Sequence, residues 1–244
     1  MYRLNIGDRI ISFSSIDSTN DFAIKNYERL ASGTVVWALQ QECGRGRWGR
    51  KWESSLGGLW FSIVFKSIVS RDMGAYMKLV SCSIVVVLER HGYPVAIKWP
   101  NDIILHKRKL GGLLAEAISS SDNVNAVVVG AGINVNNELP PELADIGITL
   151  KEYSERQHEL SVLLQQIVKQ CDLYRKQYLS PNRLRYLTRF WKSKLSTAIG
   201  DRVSIRTRNG EIQGEVRRIH GDSIEIDSGK GILKIRNGDL QDSH

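Results

Sequence analysis

The chain has 244 residues, enough for one large domain and a small second one. Its 42% hydrophobic and 25% charged residues are ordinary for a globular protein, and no apolar run approaches the roughly 18 residues of a membrane-spanning helix. The three widely spaced cysteines, Cys43, Cys82 and Cys171, argue against a disulfide framework or a zinc site. Since the N-terminus also lacks a secretory apolar core, we predict a cytoplasmic protein.

Hydrophobic periodicity predicts strands and helices that alternate irregularly along the first four fifths of the chain. Alternating or β-branched apolar runs predict strands at residues 9–16, 34–40, 59–65, 95–98, 102–106, 112–118 and 124–130. Helical spacing predicts helices from the capping residues at 18–21 to Gly33, and over 72–90, 155–176 and 181–194. Because several strands follow one another without a helix between them, we predict an α+β fold with a mixed sheet and flanking helices.

The pattern changes near residue 195. Short alternating runs after Gly200 are separated by turn pairs such as Asn209-Gly210 and Asn237-Gly238, which predicts a small all-β unit resembling a barrel. We therefore divide the chain into a domain at 1–194 and a β-domain at 195–244. The second unit has eight basic and eight acidic residues, so the net charge of +8 resides in the first.

Much of that charge is concentrated in the loop CGRGRWGRKWESSLGG, where residues 45–51 hold three arginines and one lysine. Glycines let backbone amides approach an anion closely, and guanidinium groups suit phosphate and carboxylate. Trp48 and Trp52 favour a flat ligand that can stack on them. We interpret the loop as a cradle for one small anion. A solvated basic loop and an RNA-type Arg/Gly segment are the alternatives.

Two further segments carry polar groups beside predicted strands. In KWPND, residues 98–102, the side chains of Asn101 and Asp102 suit either a site or a turn. Lys109, seven residues after Asp102, faces either a pocket or solvent on a hairpin. In GAGINVN, Asn134 follows small residues that permit close backbone approach, and it either reads a heterocycle edge or ends a strand.

Taken in order, the segments DSTN, QQECG, GRGRWGRKW, KWPNDI, RKLGGLLAE and GAGINVN resemble the biotin–protein ligase family over about residues 9–137. The β-rich tail resembles that family's small C-terminal domain. The resemblance implies an enzyme that joins biotin to ATP, with Mg²⁺ neutralising the triphosphate, and releases pyrophosphate. The biotinyl-adenylate then gives its biotinyl group to one lysine of a biotin carboxyl carrier protein or carboxylase carrier domain.

The resemblance also implies roles for individual residues. Those matching biotin contacts are Ser18, Thr19, Asn20, Gln41, Arg45, Gly46, Arg47 and Lys109. Those matching ATP or adenylate contacts are Arg45, Arg47, Arg50, Trp52, Lys98, Asn101 and Asn134. The predicted catalytic residues are Arg47, Lys109 and Asp102, with the cations placed where a carboxylate meets a phosphate. The sequence names no metal ligands. Trp48 departs from the family, which more often has a polar or basic residue there.

Two other functions compete with this interpretation. A lipoate–protein ligase shares the chemistry but lacks the GRGRxGR and KWPND segments, and a nucleic-acid-binding module suits the pI of about 9.4 but not the neutral tail. Because DSTN begins at Asp17, we expect no N-terminal DNA-binding domain and no DNA binding. The sequence leaves the acceptor and the oligomeric state open, with a homodimer as one option.

Overall fold

The larger of two sheets is mixed, as expected. The computed structural model describes residues 5–66, 68, 70, 73–120 and 123–241. Seven strands lie in the order β1-β2-β3-β7-β6-β5-β4. They are β1 (Ile10–Ile16), β2 (Val35–Gln41), β3 (Leu59–Phe65), β4 (Val95–Lys98), β5 (Asp102–Leu105), β6 (Arg108–Ser120) and β7 (Asn123–Ile133). β1 and β2 are parallel, and the other neighbouring pairs are antiparallel.

Helices cover both faces of this sheet. They are α1 (Thr19–Lys25), α2 (Met73–Arg90), α3 (Leu150–Ser154), α4 (Leu160–Tyr178) and α5 (Leu184–Lys192). α2 packs on one face and carries α4 and α5 on its outer side, whereas α1 packs against β2, β3 and β7 on the opposite face. The buried apolar side chains on these two faces form two separate clusters, the α2 cluster being much the larger.

The period of two along each strand decides which side chains face α1. On β7, Val127 and Val129 belong to the α2 cluster and Val128 to the α1 cluster. Gly130 and Gly132 continue the phase of Val128, so they lie on the α1 face beyond the end of that helix. The two glycines lack side chains, which leaves room on this face for the site described below.

The C-terminal unit is a five-stranded antiparallel sheet. Its strands are β8 (Arg202–Thr207), β9 (Gly210–Ile219), β10 (Ile224–Asp227), β11 (Ile232–Ile235) and β12 (Asp239–Gln241). Their order is β11-β10-β9-β8-β12, and the two end strands do not pair with each other among the described residues. The segment before this sheet pairs with β4, because the Ile97 N–H donates to the Lys194 carbonyl at 2.8 Å and the Ser196 N–H to the Ile97 carbonyl at 2.9 Å. The division at 194/195 stays a prediction.

Several element boundaries differ from the predicted ones. α1 ends at Lys25, well before Gly33, because the Asn26 side chain donates to the Phe22 carbonyl at 2.9 Å and closes the helix. α4 begins at Leu160, five residues later than expected, and the short helix α3 precedes it. The predicted strands at 112–118 and 124–130 are parts of the longer hairpin β6–β7. The predicted start of α2 at residue 72 lies outside the described residues.

Candidate active site

A cavity of about 420 Å³ opens on the α1 face of the large sheet. It is bounded by the start of α1, the glycine-rich loop, β6, β7 and the last strand, β12. All of the predicted site residues line this cavity except Lys98. They are Ser18, Thr19, Asn20, Gln41, Arg45, Gly46, Arg47, Arg50, Trp52, Asn101, Asp102, Lys109 and Asn134. The sequence motifs, separate along the chain, therefore meet in one place.

One end of the cavity is lined by uncharged polar groups. Ser18 caps α1 by accepting from the Asp21 N–H, which places Thr19 in the first turn of the helix. The Gln41 Oε1 atom accepts from the Thr19 N–H at 2.9 Å and from its hydroxyl at 3.0 Å. The Gln41 amide group in turn donates to Ser54 at 2.9 Å. The end of β2 and the start of α1 thus hold each other's polar side chains in fixed positions.

At this end of the cavity there are more contacts between oxygen atoms than hydroxyl protons to bridge them. The Ser62 hydroxyl lies 2.6 Å from Asn20 Oδ1 and 2.8 Å from Thr19 Oγ1, and the Thr19 hydroxyl also contacts Gln41 Oε1. Three contacts between oxygens thus share two hydroxyl protons, since each hydroxyl donates only once. Each of these oxygens has two acceptor sites, so acceptor capacity remains here that a ligand N–H can use.

Arg45 lies beside this end and is held by two carboxylates. Its Nη2 group donates to Asp21 and, at 3.2 Å, to both oxygens of Glu116. Burial alone would lower the pKa of Arg45, but the hydrogen bond with Asp21 and the charge of Glu116 outweigh this and raise it. The hydrogen bonds of Arg45 to the described residues all run through Nη2, so the Nε and Nη1 edge of the guanidinium remains available.

The opposite end of the cavity is cationic. Arg47 donates through Nη1 to Asp239 Oδ1 at 2.9 Å, to the Gly238 carbonyl at 3.1 Å and to Asn101 Oδ1 at 3.1 Å. Arg50 pairs with the second oxygen of Asp239. Two guanidinium groups and one carboxylate leave a net charge of +1 here, and Arg47 is only 16% exposed.

The burial of Arg47 makes this end attractive to an anion. Burial lowers the pKa of Arg47, although Asp239 and Asp102 act in the opposite direction. A lowered pKa means that the charged form has lost solvation that the neighbouring carboxylates do not fully replace. An entering phosphate or carboxylate would replace it with charge-assisted hydrogen bonds.

Lys109 also lines the cavity. Its Nζ atom forms an ion pair with Asp102 Oδ2 at 2.8 Å and lies 5.1 Å from the centroid of the Trp52 ring. The Trp52 indole nitrogen is buried without a hydrogen-bond partner among the described residues. A Cβ on Gly132 would lie 2.4 Å from this nitrogen, so only glycine admits the ring against β7. Trp52 therefore forms a flat wall beside the lysine.

The segment after β7 completes the cavity. Asn134 is 5% exposed and accepts from Asn137 at 3.3 Å, while its Nδ2 group donates no hydrogen bond to the described residues. Apolar side chains of the following segment face the cavity, and they are Leu139, Leu143 and Ile146. An amide donor beside apolar side chains and an indole ring suits a flat heterocycle.

Comparisons with known proteins agree with this arrangement. Residues 12–134 match the model of the Biotin/lipoate A/B protein ligase family. The chain is 30% identical over 244 residues to the bifunctional ligase/repressor BirA of Bacillus subtilis, covering 97% of this chain and 74% of that protein. The chain belongs to the biotin/lipoate protein ligase family.

Further relatives place the chain within that family. It is 34% identical over 128 residues to the biotin–[acetyl-CoA-carboxylase] ligase of Paracoccus denitrificans, covering 49% of this chain and 51% of that protein. The biotin protein ligase of Aquifex aeolicus, solved in complex with biotin and ATP, superposes with a TM-score of 0.83. That structure is 27% identical and covers 96% of this chain and 98% of its own. The predicted resemblance to biotin–protein ligases is confirmed.

One predicted residue lies outside the cavity, and several residues in or next to the cavity were not predicted from the sequence. Lys98, predicted to bind ATP, ends β4 opposite Asp102 and does not line the cavity. Lining residues that were not predicted include Leu139, Leu143, Ile146, Asp239, Leu240 and Gln241. Ser54, Ser62 and Glu116, also not predicted, bind lining residues from outside the cavity. Glu116 stands at the end of the motif RKLGGLLAE, which was its one available signal.

Trp48, absent from the lining, has φ +60° and is contacted by the guanidinium groups of Arg47 and Arg50, 5.3 and 5.1 Å from its ring.

Two absences bear on the predicted cofactors and location. The described residues contain no group of three or more His, Cys, Asp or Glu side chains arranged to hold a metal ion. Magnesium stays a prediction tied to the nucleotide. Within the described residues, no helix is both long and apolar enough to span a membrane.

Proposed function

We propose that this chain is an ATP-dependent biotin–protein ligase. One observation carries the proposal: a single cavity joins an uncharged hydrogen-bonding end to a cationic end, with Lys109 also in its lining. The bicyclic ring of biotin is uncharged and bears ureido N–H groups, whereas its carboxylate must meet a phosphate. Few ligands need both environments in one cavity. The named activities of the relatives in this family support the same substrates.

In the first step, a biotin carboxylate oxygen attacks the α-phosphorus of ATP, and the bond from that phosphorus to the bridging oxygen breaks. Pyrophosphate leaves, and biotinyl-adenylate forms. Two anions meet in this step, so fixed positive charge lowers its barrier. We assign this role to Arg47, Arg50 and Lys109, and we place the adenine against Trp52 with Asn134 at its edge. No step is assigned to magnesium.

In the second step, the ε-amine of an acceptor lysine attacks the acyl carbon of the adenylate. An amide forms, AMP leaves, and the amine loses a proton. Asp102 is the carboxylate nearest to Lys109 in the cavity, and we propose that it receives that proton or positions the amine. A biotin carboxyl carrier protein is the proposed acceptor, since the Paracoccus denitrificans relative is named for acetyl-CoA carboxylase.

The proton count at the uncharged end favours biotin over lipoate. The oxygens of Thr19, Asn20 and Ser62 keep acceptor capacity that their own hydroxyl protons do not fill. The ureido group of biotin supplies N–H donors, whereas the dithiolane ring of lipoate has none. An acceptor left unpaired in a buried site costs affinity. Lipoate is therefore the weaker candidate.

The ion pairs of the loop also bear on the nucleic-acid alternative. The cations of residues 45–51 are each paired with a carboxylate, and the pairs are Arg45 with Asp21 and Glu116, Arg47 and Arg50 with Asp239, and Lys51 with Glu53. A nucleic-acid face needs uncompensated charge spread over a wide surface. The loop instead turns its charge toward one cavity. That the chain does not bind DNA stays a prediction.

The decisive experiment measures the transfer of labelled biotin to a carboxyl-carrier domain. We expect transfer only with ATP, and we expect biotin, but not lipoate, to stimulate pyrophosphate release. Lipoate-dependent release without biotin-dependent release would reverse the assignment. A carrier domain whose acceptor lysine is replaced by arginine is the matched control and should stay unlabelled.

A further inference from the structure

Glu116 lies just outside the cavity, and its carboxylate binds two of the residues that line the cavity. It lies on β6 and is 27% exposed, and it is not itself among the lining residues. One of its oxygens accepts from Asn20 Nδ2 at 2.8 Å, and both accept from Arg45 at 3.2 Å. The reaction steps above do not use it.

The contact with Glu116 fixes which way the Asn20 amide points. Asn20 is 5% exposed, and a Cβ on Gly130 would lie 2.3 Å from its Oδ1 atom. With the NH₂ group donating to Glu116 and, at 3.4 Å, to the Leu114 carbonyl, the oxygen must face Ser62. Glu116 therefore decides that Asn20 presents an acceptor, and not a donor, on the side of Ser62 and of Gly130, which lines the cavity.

The second contact fixes the loop and the charge at this end. Arg45 is held by Nη2 alone, between Asp21 of α1 and Glu116 of β6, which ties the glycine-rich loop to both elements. Two carboxylates and one guanidinium leave a net charge of −1, the opposite of the +1 at Arg47, Arg50 and Asp239. An anionic group is thus disfavoured at one end of the cavity and favoured at the other.

We propose that Glu116 is a positioning residue for the ring end of biotin, acting through Asn20 and Arg45. It keeps an oxygen acceptor facing the ureido N–H groups and keeps this end of the cavity negative. The uncharged ring enters here, and the carboxylate turns toward Arg47 and Lys109. The inference rests on the proposed function, and it adds a residue that sets how the substrate lies.

Three variants separate the two contacts. Glu116→Gln keeps an oxygen that can accept from Asn20 but loses the charge that holds Arg45, and Glu116→Ala loses both. Asp21→Asn weakens the hold on Arg45 and leaves Asn20 in place. Because hydrogen bonds to charged groups are stronger than neutral ones, we expect the KM for biotin to rise about threefold in Asp21→Asn, fivefold in Glu116→Gln and thirtyfold in Glu116→Ala. Glu42→Gln removes an exposed carboxylate near the same loop and is the matched control.

A pyrophosphate-release assay gives both Michaelis constants, and we expect the KM for ATP to stay within about twofold of the wild-type value in each variant. Biotinamide, which keeps the ring and lacks the carboxylate, is a second probe. Its inhibition constant should rise by the same factor as the KM for biotin, since Glu116 serves the ring. Thermal unfolding of each variant verifies that the chain is folded.

Three results would overturn the inference: an unchanged KM for biotin in Glu116→Ala, a parallel rise in the KM for ATP, or an unchanged inhibition constant for biotinamide. The wild-type protein distinguishes this failure from that of the proposed function. If the wild-type chain releases no pyrophosphate with biotin, the ligase assignment fails. If it does so and the variants match it, only the role of Glu116 fails.

Discussion

The carboxylate of Asp239, the first residue of β12, accepts a hydrogen bond from Arg47 in the glycine-rich loop at 2.9 Å. The same carboxylate pairs with Arg50, and Asp239 is 18% exposed. The C-terminal sheet therefore supplies a wall of the cavity and an anchor for the loop. Removing its anchor should loosen the loop that covers the reaction.

Replacing Asp239 with asparagine tests this anchor. Arg47 would keep its bonds to Asn101 and the Gly238 carbonyl, whereas Arg50, 55% exposed, would lose its ion pair. We expect the reactive adenylate to escape several-fold faster, because a loosened loop is less able to exclude water and to hold the intermediate. The measurement is biotinylation of bystander proteins. Asp222→Asn, an exposed pair with Arg236 on the same sheet, is the control; equal labelling by the two variants would refute the anchor.

The Arg47→Gly variant should show the same effect more strongly. It removes the guanidinium that bonds the loop to Asn101, Gly238 and Asp239 at once. We expect adenylate formation to continue in part while the intermediate leaves the site, which raises bystander labelling above that of Asp239→Asn. A variant that retains its intermediate as tightly as wild type, measured by gel filtration after a single turnover, would contradict this.

Much of the fold could be predicted because its signals are local. The apolar run LWFSIVF predicted β3 with its observed bounds, and the helical spacing after residue 72 predicted α2 with its observed end at Arg90. The end of α1 could not be found this way, because a side chain of Asn26 closes the helix while the helical apolar pattern continues past it. The start of α4 was also missed, since residues 150–159 form a short helix and a turn with no distinct pattern.

The site was predictable to the extent that its residues lie in contiguous motifs. Ser18, Arg47 and Lys109 line the cavity because their motifs end or begin strands that meet on one face. Asp239 had no such signal, since its partner Arg47 is 192 positions away and the surrounding residues read as an ordinary turn. Contacts of this kind arise only when two units pack together, and no spacing rule encodes them.

Lys109→Ala should depress the first chemical step. Its ammonium lies between Asp102 and the Trp52 ring, where the carboxylate and the phosphate are proposed to meet. Losing one well-placed cation typically costs about 100- to 1000-fold in rate. We expect biotin-dependent pyrophosphate release to fall by that order. Lys107→Gln, an exposed lysine on the same turn, should stay near the wild-type rate; a comparable loss there would point to a general effect of charge.

Two glycines of β7 offer a matched pair of steric tests. A Cβ at Gly130 meets Asn20 at 2.3 Å, and a Cβ at Gly132 meets the Trp52 indole nitrogen at 2.4 Å. We expect Gly130→Ala to raise the KM for biotin and Gly132→Ala to raise the KM for ATP, each by about tenfold, since overpacking displaces the side chain that it meets. Each variant is the control for the other. If both constants rose equally in both variants, the cavity would not be divided as we propose.

Asp172 on α4 should make the free energy of unfolding depend on pH in the acidic range. It accepts from the Ile6 N–H at 3.0 Å and from Arg175 at 2.8 Å, and it pairs with Lys176. Burial acts to raise the pKa of Asp172, but the hydrogen bonds from Lys176, Ile6 and Arg175 outweigh it and lower the pKa below 3.8. Because the folded-state pKa lies below the unfolded one, the carboxylate stabilises the fold above about pH 4 and ceases to do so as the pH falls through the folded value.

The Asp172→Asn variant should therefore have a lower free energy of unfolding than wild type at pH 7, and the difference should shrink as the pH falls below about 4. Urea unfolding followed at pH 7, 5, 4 and 3 measures this. Asp8→Asn is the control, since that exposed carboxylate bonds to Asn5 within its own turn. A deficit in Asp172→Asn that is the same at every pH would mean that packing, and not the charge of Asp172, holds the N-terminal segment to α4.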